Sequence, residues 1–272
     1  MSTSSDIASE NELQARLEFA LDAAARAGEF IMSHYQSPEL AVDRKRDSSP
    51  VTVADRGAEE LIRNLIAEQY GDDAVLGEEF GESSGSSGWR WILDPVDGTK
   101  SFIHGVPLFG TLIGLENGDD QVLGLCAFPA LGETIYAAAG QGAFWKIGNN
   151  EPRPARVSTV SSLAEATFCT TTIQGWSRIG RQDAFDSFCE TAAICRGWGD
   201  CYGHALVATG RADVMVDPLL NAWDCAPFVP ILKEAGGHFV SFAGETDIHA
   251  GNGLSVNAGL LDESLAITRS KT

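Results

Sequence analysis

A chain of 272 residues with 44% hydrophobic residues and a mean hydropathy of −0.05 is long enough to bury a sizeable core, as one large domain or two intimate lobes. Its formal charge of −19 argues against nucleic acid, whose phosphates are met with lysine and arginine. No apolar run approaches the ~20 residues of a membrane span, and six scattered cysteines without CxxC pairs predict reduced thiols and a cytoplasmic setting.

Met1 to Glu12 is polar, without a basic or apolar region, and reads as a disordered lead-in. Leu13, Leu17, Leu21, Ala24, Ala25, Phe30 and Ile31 recur at helical spacing, predicting an amphipathic helix over Leu13 to Tyr35 that stops before Pro38. A short extended segment is expected from Leu40 to Arg46, then the turn Asp47-Ser48-Ser49-Pro50. A second helix over Thr52 to Gln69 buries Ala58, Leu61, Ile62, Leu65 and Ile66, with Asp55 near its start. Ala74 to Leu76 is a short strand ending at Gly77-Glu78-Glu79, and Gly81 to Gly88 reads as a flexible loop.

Trp89 to Leu93 is apolar and aromatic enough to be a buried strand. It delivers Asp94 and Asp97 to its end, within Asp94-Pro95-Val96-Asp97-Gly98-Thr99. Two carboxylates three apart, stiffened by Pro95 and followed by Gly98-Thr99, suit a hard cation beside a phosphate. Carboxylate oxygens hold Mg²⁺, while backbone N–H groups and the Thr99 hydroxyl bond an anion. An ordinary strand-to-loop turn explains the motif equally well when it stands alone.

Gly110 to Glu116 and Gln121 to Phe128 form a hairpin around Asn117-Gly118, and Thr134 to Ala139 with Gly142 to Lys146 continues the meander. Beyond a proline-interrupted link at Glu151 to Arg156 the pattern alternates. Strands are expected at Phe168 to Thr172, Ile194 to Trp198, Ala212 to Val216 and Gly253 to Asn257. Helices are expected at Phe185 to Ala192, Cys201 to Gly210 and Ala222 to Ala235.

Acidic residues recur where strands end or helices begin: Asp55, Glu78, the pair Asp94 and Asp97, and Asp224 in Asn221-Ala222-Trp223-Asp224. Each has a local alternative: Asp55 as a helix cap, Glu78 as a solvated turn residue, Asp224 as a first-turn acid. Taken together and in this order, Asp47-Ser48-Ser49-Pro50-Val51-Thr52-Val53-Ala54-Asp55, Gly77-Glu78-Glu79, Trp91-Ile92-Leu93-Asp94-Pro95-Val96-Asp97-Gly98-Thr99-Lys100-Ser101-Phe102 and Asn221-Ala222-Trp223-Asp224-Cys225-Ala226, followed by Glu234-Ala235-Gly236-Gly237, carry a resemblance. The chain resembles the inositol monophosphatase superfamily of Mg²⁺-dependent, lithium-sensitive phosphatases from about Lys45 to Gly237.

The resemblance implies an α+β fold, a layered α-β-α-β-α sandwich of the inositol monophosphatase and fructose-1,6-bisphosphatase type. It implies a single catalytic unit with an amino-terminal lobe (1–150) carrying most metal ligands and a carboxyl-terminal lobe (151–272) carrying Asp224 and the specificity residues, usually as a homodimer. Glu78, Asp94 and the Val96 carbonyl would hold one Mg²⁺; Asp94, Asp97 and Asp224 would hold a second, and a third would lean on Glu78. Asp55 and Thr99, with Glu78, would serve the attacking water. Asp97, Gly98 and Thr99 would contact phosphate, helped by the amino end of the helix beginning near Cys201.

Glu78-Glu79-Phe80-Gly81, Gly105-Val106-Pro107, Trp198-Gly199-Asp200-Cys201-Tyr202-Gly203 and Met215-Val216-Asp217-Pro218 are most similar to the histidinol-phosphate phosphatase branch. Asp200, Asp217 and Asn221 become the expected substrate contacts, since added carboxylates attract a cationic amino alcohol. Asp200 also reads as a helix cap before Cys201, and Asp217 as a turn acid before Pro218. His204 follows the same turn and is a candidate to line the pocket. The expected activity is Mg²⁺-dependent hydrolysis of L-histidinol phosphate in histidine biosynthesis. The alternatives are an inositol monophosphatase or broad sugar phosphatase, and a non-catalytic regulatory relative.

Overall fold

The computed structural model describes residues 4–45 and 49–270. Arg46, Asp47 and Ser48, which belong to the expected extended segment and turn, lie outside them, as do Met1 to Thr3.

Helix α1 (Ser4–His34) begins well before the expected Leu13. Much of the supposed lead-in is therefore helical: once a buried helix is nucleated, each added polar residue gains one backbone bond at little cost. Strands β1 (Val42–Arg44) and β2 (Pro50–Thr52) form an antiparallel ribbon leading into α2 (Val53–Gln69). Next come β3 (Ala74–Gly77), β4 (Gly81–Ser83), β5 (Trp89–Asp97), the short α3 (Thr99–Ile103), β6 (Gly110–Asn117), β7 (Asp120–Phe128), β8 (Glu133–Ala138), β9 (Gly142–Ile147) and β10 (Arg153–Pro154). They build an eight-stranded sheet ordered β10-β9-β8-β7-β6-β5-β3-β4, in which β3 and β5 run parallel. Part of the expected loop at Gly81 to Gly88 is thus an edge strand, its three residues exposed against β3.

The remaining elements are β11 (Thr167–Cys169), α4 (Ile173–Arg178), α5 (Gln182–Thr191), β12 (Ile194–Arg196), α6 (Asp200–Ala208), β13 (Val214–Asp217), α7 (Ala222–Cys225), α8 (Phe228–Glu234), β14 (Gly237–Val240), β15 (Gly253–Asn257) and α9 (Leu261–Arg269). Their sheet is ordered β12-β11-β13-β15-β14, with β12, β11 and β13 parallel. The helix expected over Ala222 to Ala235 divides at Pro227, which has no N–H to continue the backbone ladder.

Side-chain alternation sorts these elements into layers. Trp91, Leu93, Ile113, Leu115, Leu123 and Leu125 face α1 and α2, burying Leu13, Leu17, Ala20, Ile31, Ile62 and Ile66. From the opposite face, Ile92, Leu112, Cys126, Phe128 and Ile135 meet Ala205, Leu206, Phe228, Ile231 and Leu232 of α6 and α8, which also touch Met215 and Phe239 of the second sheet. That sheet turns Phe168, Val214, Val216 and Leu254 outward to Trp176, Phe188 and Leu265. The result is the expected α+β sandwich: helices, sheet, helices, sheet, helices. All six cysteines are free thiols.

One close approach fixes where α7 and α8 sit on the first sheet. Gly114 of β6 pairs across the ladder with Gly124 of β7. A Cβ at Gly124 would lie 1.9 Å from the Pro227 carbonyl oxygen, and one at Gly114 would lie 3.0 Å from the Ala226 Cβ. Two adjacent glycines therefore let the α7–α8 backbone rest directly on the sheet.

Candidate active site

Strand β5 does not end cleanly. Asp94 pairs with Leu112 and Asp97 with Gly110, so three steps on β5 oppose two on β6 and the strand bulges at Pro95-Val96. Within the bulge the Val96 N–H donates to Asp94 Oδ1 at 3.0 Å, and Thr111 Oγ1 donates to the Pro95 carbonyl at 2.9 Å. Gly98, at φ 82°, then turns the chain into α3. The extra residue re-aims Asp97 so that both carboxylates face the α7 side of the sheet.

Asp224 arrives from that side. It sits in the first turn of α7, where its Oδ2 accepts the Asn221 N–H at 2.7 Å in a reciprocal capping arrangement. Carboxylate oxygens of Asp94, Asp97 and Asp224 lie within 4.8 Å of one another. Burial, followed by mutual repulsion, pushes Asp94 well above the usual carboxylate range, and Asp94 is also pressed by Glu78. Burial and the charge of Asp224 hold Asp97 up to about 7. Burial likewise raises Asp224 to about 7, against the hydrogen bond from the Asn221 backbone. No lysine or arginine among the described residues forms an ion pair with any of the three. Crowded hard oxygen donors lacking a counter-charge fit a divalent cation.

Glu78 follows β3, its N–H donating to the Leu93 carbonyl at 3.1 Å. Its Oε1 lies 2.7 Å from Lys45 Nζ, which also meets Glu79 Oε1 at 2.5 Å. Burial pulls Lys45 downward, but the two glutamates outweigh it and hold the ammonium above its ordinary value. Burial raises Glu79 to about 7, partly offset by Lys45. Below it, Glu59 accepts the Glu79 N–H at 2.7 Å and pairs with Arg63, fixing the turn.

Asp55 is fully buried at the start of α2. Its Oδ2 accepts the Thr52 N–H at 2.8 Å and hydroxyl at 2.6 Å, while Oδ1 lies 3.1 Å from Thr99 Oγ1. Burial raises its carboxyl and these hydrogen bonds pull against that. The Thr99 hydroxyl is also 3.1 Å from the Val96 carbonyl. Asp55, Thr99, Val96 and the aspartate cluster are thus joined by direct contacts.

Beside the cluster opens a cavity of about 190 Å³, lined in part by Asp97, Lys100, Thr171, Arg178, Asp200 and Asp217. Asp200 does not cap α6. Gly199 occupies the cap position, and Asp200 is the first helical residue, with a left-handed φ of 50°. Its Oδ2 stands 3.3 Å from the point a Cβ on Gly98 would occupy. Burial first, then the charges of Asp97 and Asp217, raise its carboxyl, against the pull of Lys100.

Asp217 lines the same cavity with both oxygens engaged by Thr171. Asn221 is exposed and spends its side chain on the α7 cap. The start of α6 is also engaged, since the Cys201 N–H donates to Asp97 Oδ2. His204 borders the cavity; its Nδ1 shares a 2.7 Å hydrogen bond with Ser255 Oγ. Its buried Nε2 has no hydrogen-bond partner and lies 3.5 Å from Asp217.

Thr171, Thr172, Arg178, Leu219 and Leu220 line the cavity, and Lys45 sits beside Glu78, without patterning having singled them out; Lys100 falls inside the central motif but is given no role there. Thr171 and Thr172 had a signal, the Thr170-Thr171-Thr172 run at the carboxyl end of a strand, where open parallel sheets bind ligands.

Comparison with known proteins agrees with this geometry. The chain is 44% identical over 238 residues to a histidinol-phosphatase of Chlorobaculum parvum, covering 88% of this chain and 90% of that protein. It is 36% identical over 249 residues to a histidinol-phosphatase of Mycobacterium tuberculosis, covering 92% and 96%. The solved extragenic suppressor protein suhB of Bartonella henselae superposes with a TM-score of 0.86 at 28% identity, covering 95% of this chain and all of that one. An inositol monophosphatase structure from Thermotoga maritima gives 0.82 at 29% identity, covering 93% and 96%. The inositol monophosphatase family model matches residues 12–271. With the family model spanning the aspartate cluster and the solved relatives sharing the layered fold around it, the chain belongs to the inositol monophosphatase family and is a phosphoric monoester hydrolase.

Proposed function

We propose that this enzyme hydrolyses L-histidinol phosphate to L-histidinol and inorganic phosphate, with Mg²⁺ as cofactor, as a step of histidine biosynthesis. The observation that carries the reading is Asp200, a carboxylate set against Gly98 of the phosphate loop. In histidinol phosphate the amine lies two carbons from the ester oxygen, so an ester seated at Gly98-Thr99 brings its ammonium to Asp200 and gains a charge-assisted hydrogen bond. The names of the Chlorobaculum and Mycobacterium relatives support the same substrate. A polyol or sugar monophosphate is the second reading, favoured by a 31% identical Thermotoga maritima relative named fructose-1,6-bisphosphatase/inositol-1-monophosphatase.

Asp94, Asp97 and Asp224 would hold Mg²⁺, with Glu78 and the Val96 carbonyl completing the set for two or three ions. Bound Mg²⁺ supplies Lewis acidity, lowering the pKa of water and offsetting the charge of the phosphate. Asp55 accepts the Thr99 proton, which leaves the Thr99 oxygen lone pairs free to orient a water and take up its proton. Gly98 and Thr99 bind the phosphoryl oxygens, and Asp200 orients the leaving amino alcohol.

Steady-state rates on histidinol phosphate and inositol 1-phosphate test this. A kcat/KM preference of about 100 for the former, equivalent to ~2.7 kcal/mol, is expected. Asp94→Asn, which alters the most enclosed carboxylate of the three-aspartate cluster, should remove turnover on both. Equal efficiency on the two esters sinks the histidinol assignment.

A further inference from the structure

Among the described non-glycine residues only Gln36 and Asp200 hold a positive φ, 57° and 50°. Aspartate tolerates the left-handed region, but at a cost that its surroundings must cover. Asp200 is held there by Thr171 and, through it, by Asp217. Its N–H donates to Thr171 Oγ1 at 2.6 Å. The single hydroxyl proton of Thr171 goes to Asp217 Oδ2, also at 2.6 Å, and the Thr171 N–H donates to Asp217 Oδ1 at 2.9 Å. Asp217 is 2% exposed, and both its oxygens are committed to Thr171.

The neighbours of Asp200 are pinned as well. A Cβ on Gly199 would lie 2.3 Å from Thr171 Cα, so that backbone seats directly on Thr171. Cys201, on the other side, gives its N–H to Asp97. Parallel pairing of β11 with β13, Cys169 opposite Met215, brings Thr171 and Asp217 side by side two residues beyond the ladder. The carboxylate of Asp200 itself has only a long contact to Ser101 Oγ, 3.5 Å. Its direction is therefore set mainly by its backbone, and its backbone by Thr171.

We propose that Thr171, anchored by Asp217, is a positioning residue for substrate selectivity: it locks Asp200 so that its carboxylate faces the leaving group at Gly98. This deepens the proposed function and rests on it. Asp217 becomes the anchor of the device in place of a second substrate ligand. Valine matches threonine in shape but can neither accept from Asp200 nor donate to Asp217, whereas serine can do both.

The test compares histidinol phosphate with glycerol 2-phosphate, a monoester of an uncharged alcohol, in wild type, Thr171→Val, Thr171→Ser, Asp200→Asn and Thr171→Val/Asp200→Asn. Thr171→Val should cut the preference for the cationic ester roughly tenfold, chiefly through KM. Thr171→Ser should retain it within about twofold, and the double variant should lose no more than Asp200→Asn alone. A crystal structure of Thr171→Val should show Asp200 relaxed to negative φ. Thr171→Ala replaces the valine variant if that protein does not fold. The clamp is overturned if Thr171→Val keeps the full preference, lowers kcat equally on both esters, or leaves Asp200 left-handed. A wild type without preference overturns the histidinol reading instead, and the crystal structure then decides the clamp.

Discussion

Loading the site with Mg²⁺ should expel protons, and their number depends on the carboxylates. Asp97 and Asp224, both held up to about 7 when metal-free, are each about half protonated at pH 7, so an ion needing both ionised displaces roughly one proton between them. Asp94, whose carboxyl burial also raises well above the usual range, adds to that number. Protons compete with the ion, so affinity rises with pH. From the two groups alone, Kd should tighten about 30-fold between pH 6 and 7 and only ~1.2-fold between pH 8 and 9. Since their oxygens lie within 4.8 Å, loss of the first proton holds back the second and broadens the transition, so tenfold is the margin to test.

Stability carries the same signature with its own sign. A carboxyl whose folded pKa exceeds its unfolded value, 3.8, favours the folded state as pH falls through the folded pKa. Metal-free protein should therefore gain roughly 1–3 kcal/mol from these groups between pH 8 and 6, a gain absent with Mg²⁺ bound. Titration calorimetry in two buffers of different ionisation enthalpy counts the protons, and melts with and without chelator follow the stability. Proton-neutral binding with the same Kd at pH 6 and 7 would refute the crowded-carboxylate account.

Two further outcomes are expected. Gly124→Ala forces a methyl to within 1.9 Å of the Pro227 carbonyl, a backbone atom with no rotamer to yield. It should cost about 3 kcal/mol or more and weaken Mg²⁺ binding by displacing Asp224. Gly118→Ala, with φ 64° and open space around it, should cost only ~1 kcal/mol in the same melts. Lys45→Met removes the ammonium that occupies Glu78 and Glu79, and should tighten Mg²⁺ binding several-fold at pH 8 by calorimetry; weaker binding would mean that Lys45 supports the ion instead of competing with it.

The layered fold and the acidic cluster were legible because they rest on local signals. A continuous apolar and aromatic run marks β5, Thr52 and Asp55 mark the start of α2, and Asn117-Gly118 marks the β6–β7 turn. Other features arise only from tertiary placement. α4 and α9 are short, and β14 opens at Gly237 directly after Gly236 without a clear period, so nothing local announces them. The role of Lys45 depends on the segment after β1 reaching the turn that follows β3, and the Thr171–Asp217 pairing on two strands distant in sequence lying parallel. Asp200 reads as a helix cap because an acid before a helical run usually is one; its left-handed backbone leaves no mark in the composition.

The paired glycines of β6 and β7 separate what this enzyme can change from what it cannot. Asp224 reaches its partners through a backbone lying on bare sheet, a joint with no side chain on the sheet side to substitute. The cavity wall that the proposed reading sets against the leaving group is built instead largely from loops after β11 and β13 and the first turn of α6. The half-exposed positions of those loops can accept new side chains without disturbing the distance between the acids. A lineage, or a protein engineer, could therefore exchange one alcohol for another at that wall while the hydrolytic machinery stayed fixed, and variants sought for new substrates belong at the exposed or half-exposed positions 172, 178, 198, 200, 219 and 220 rather than at the glycine joint.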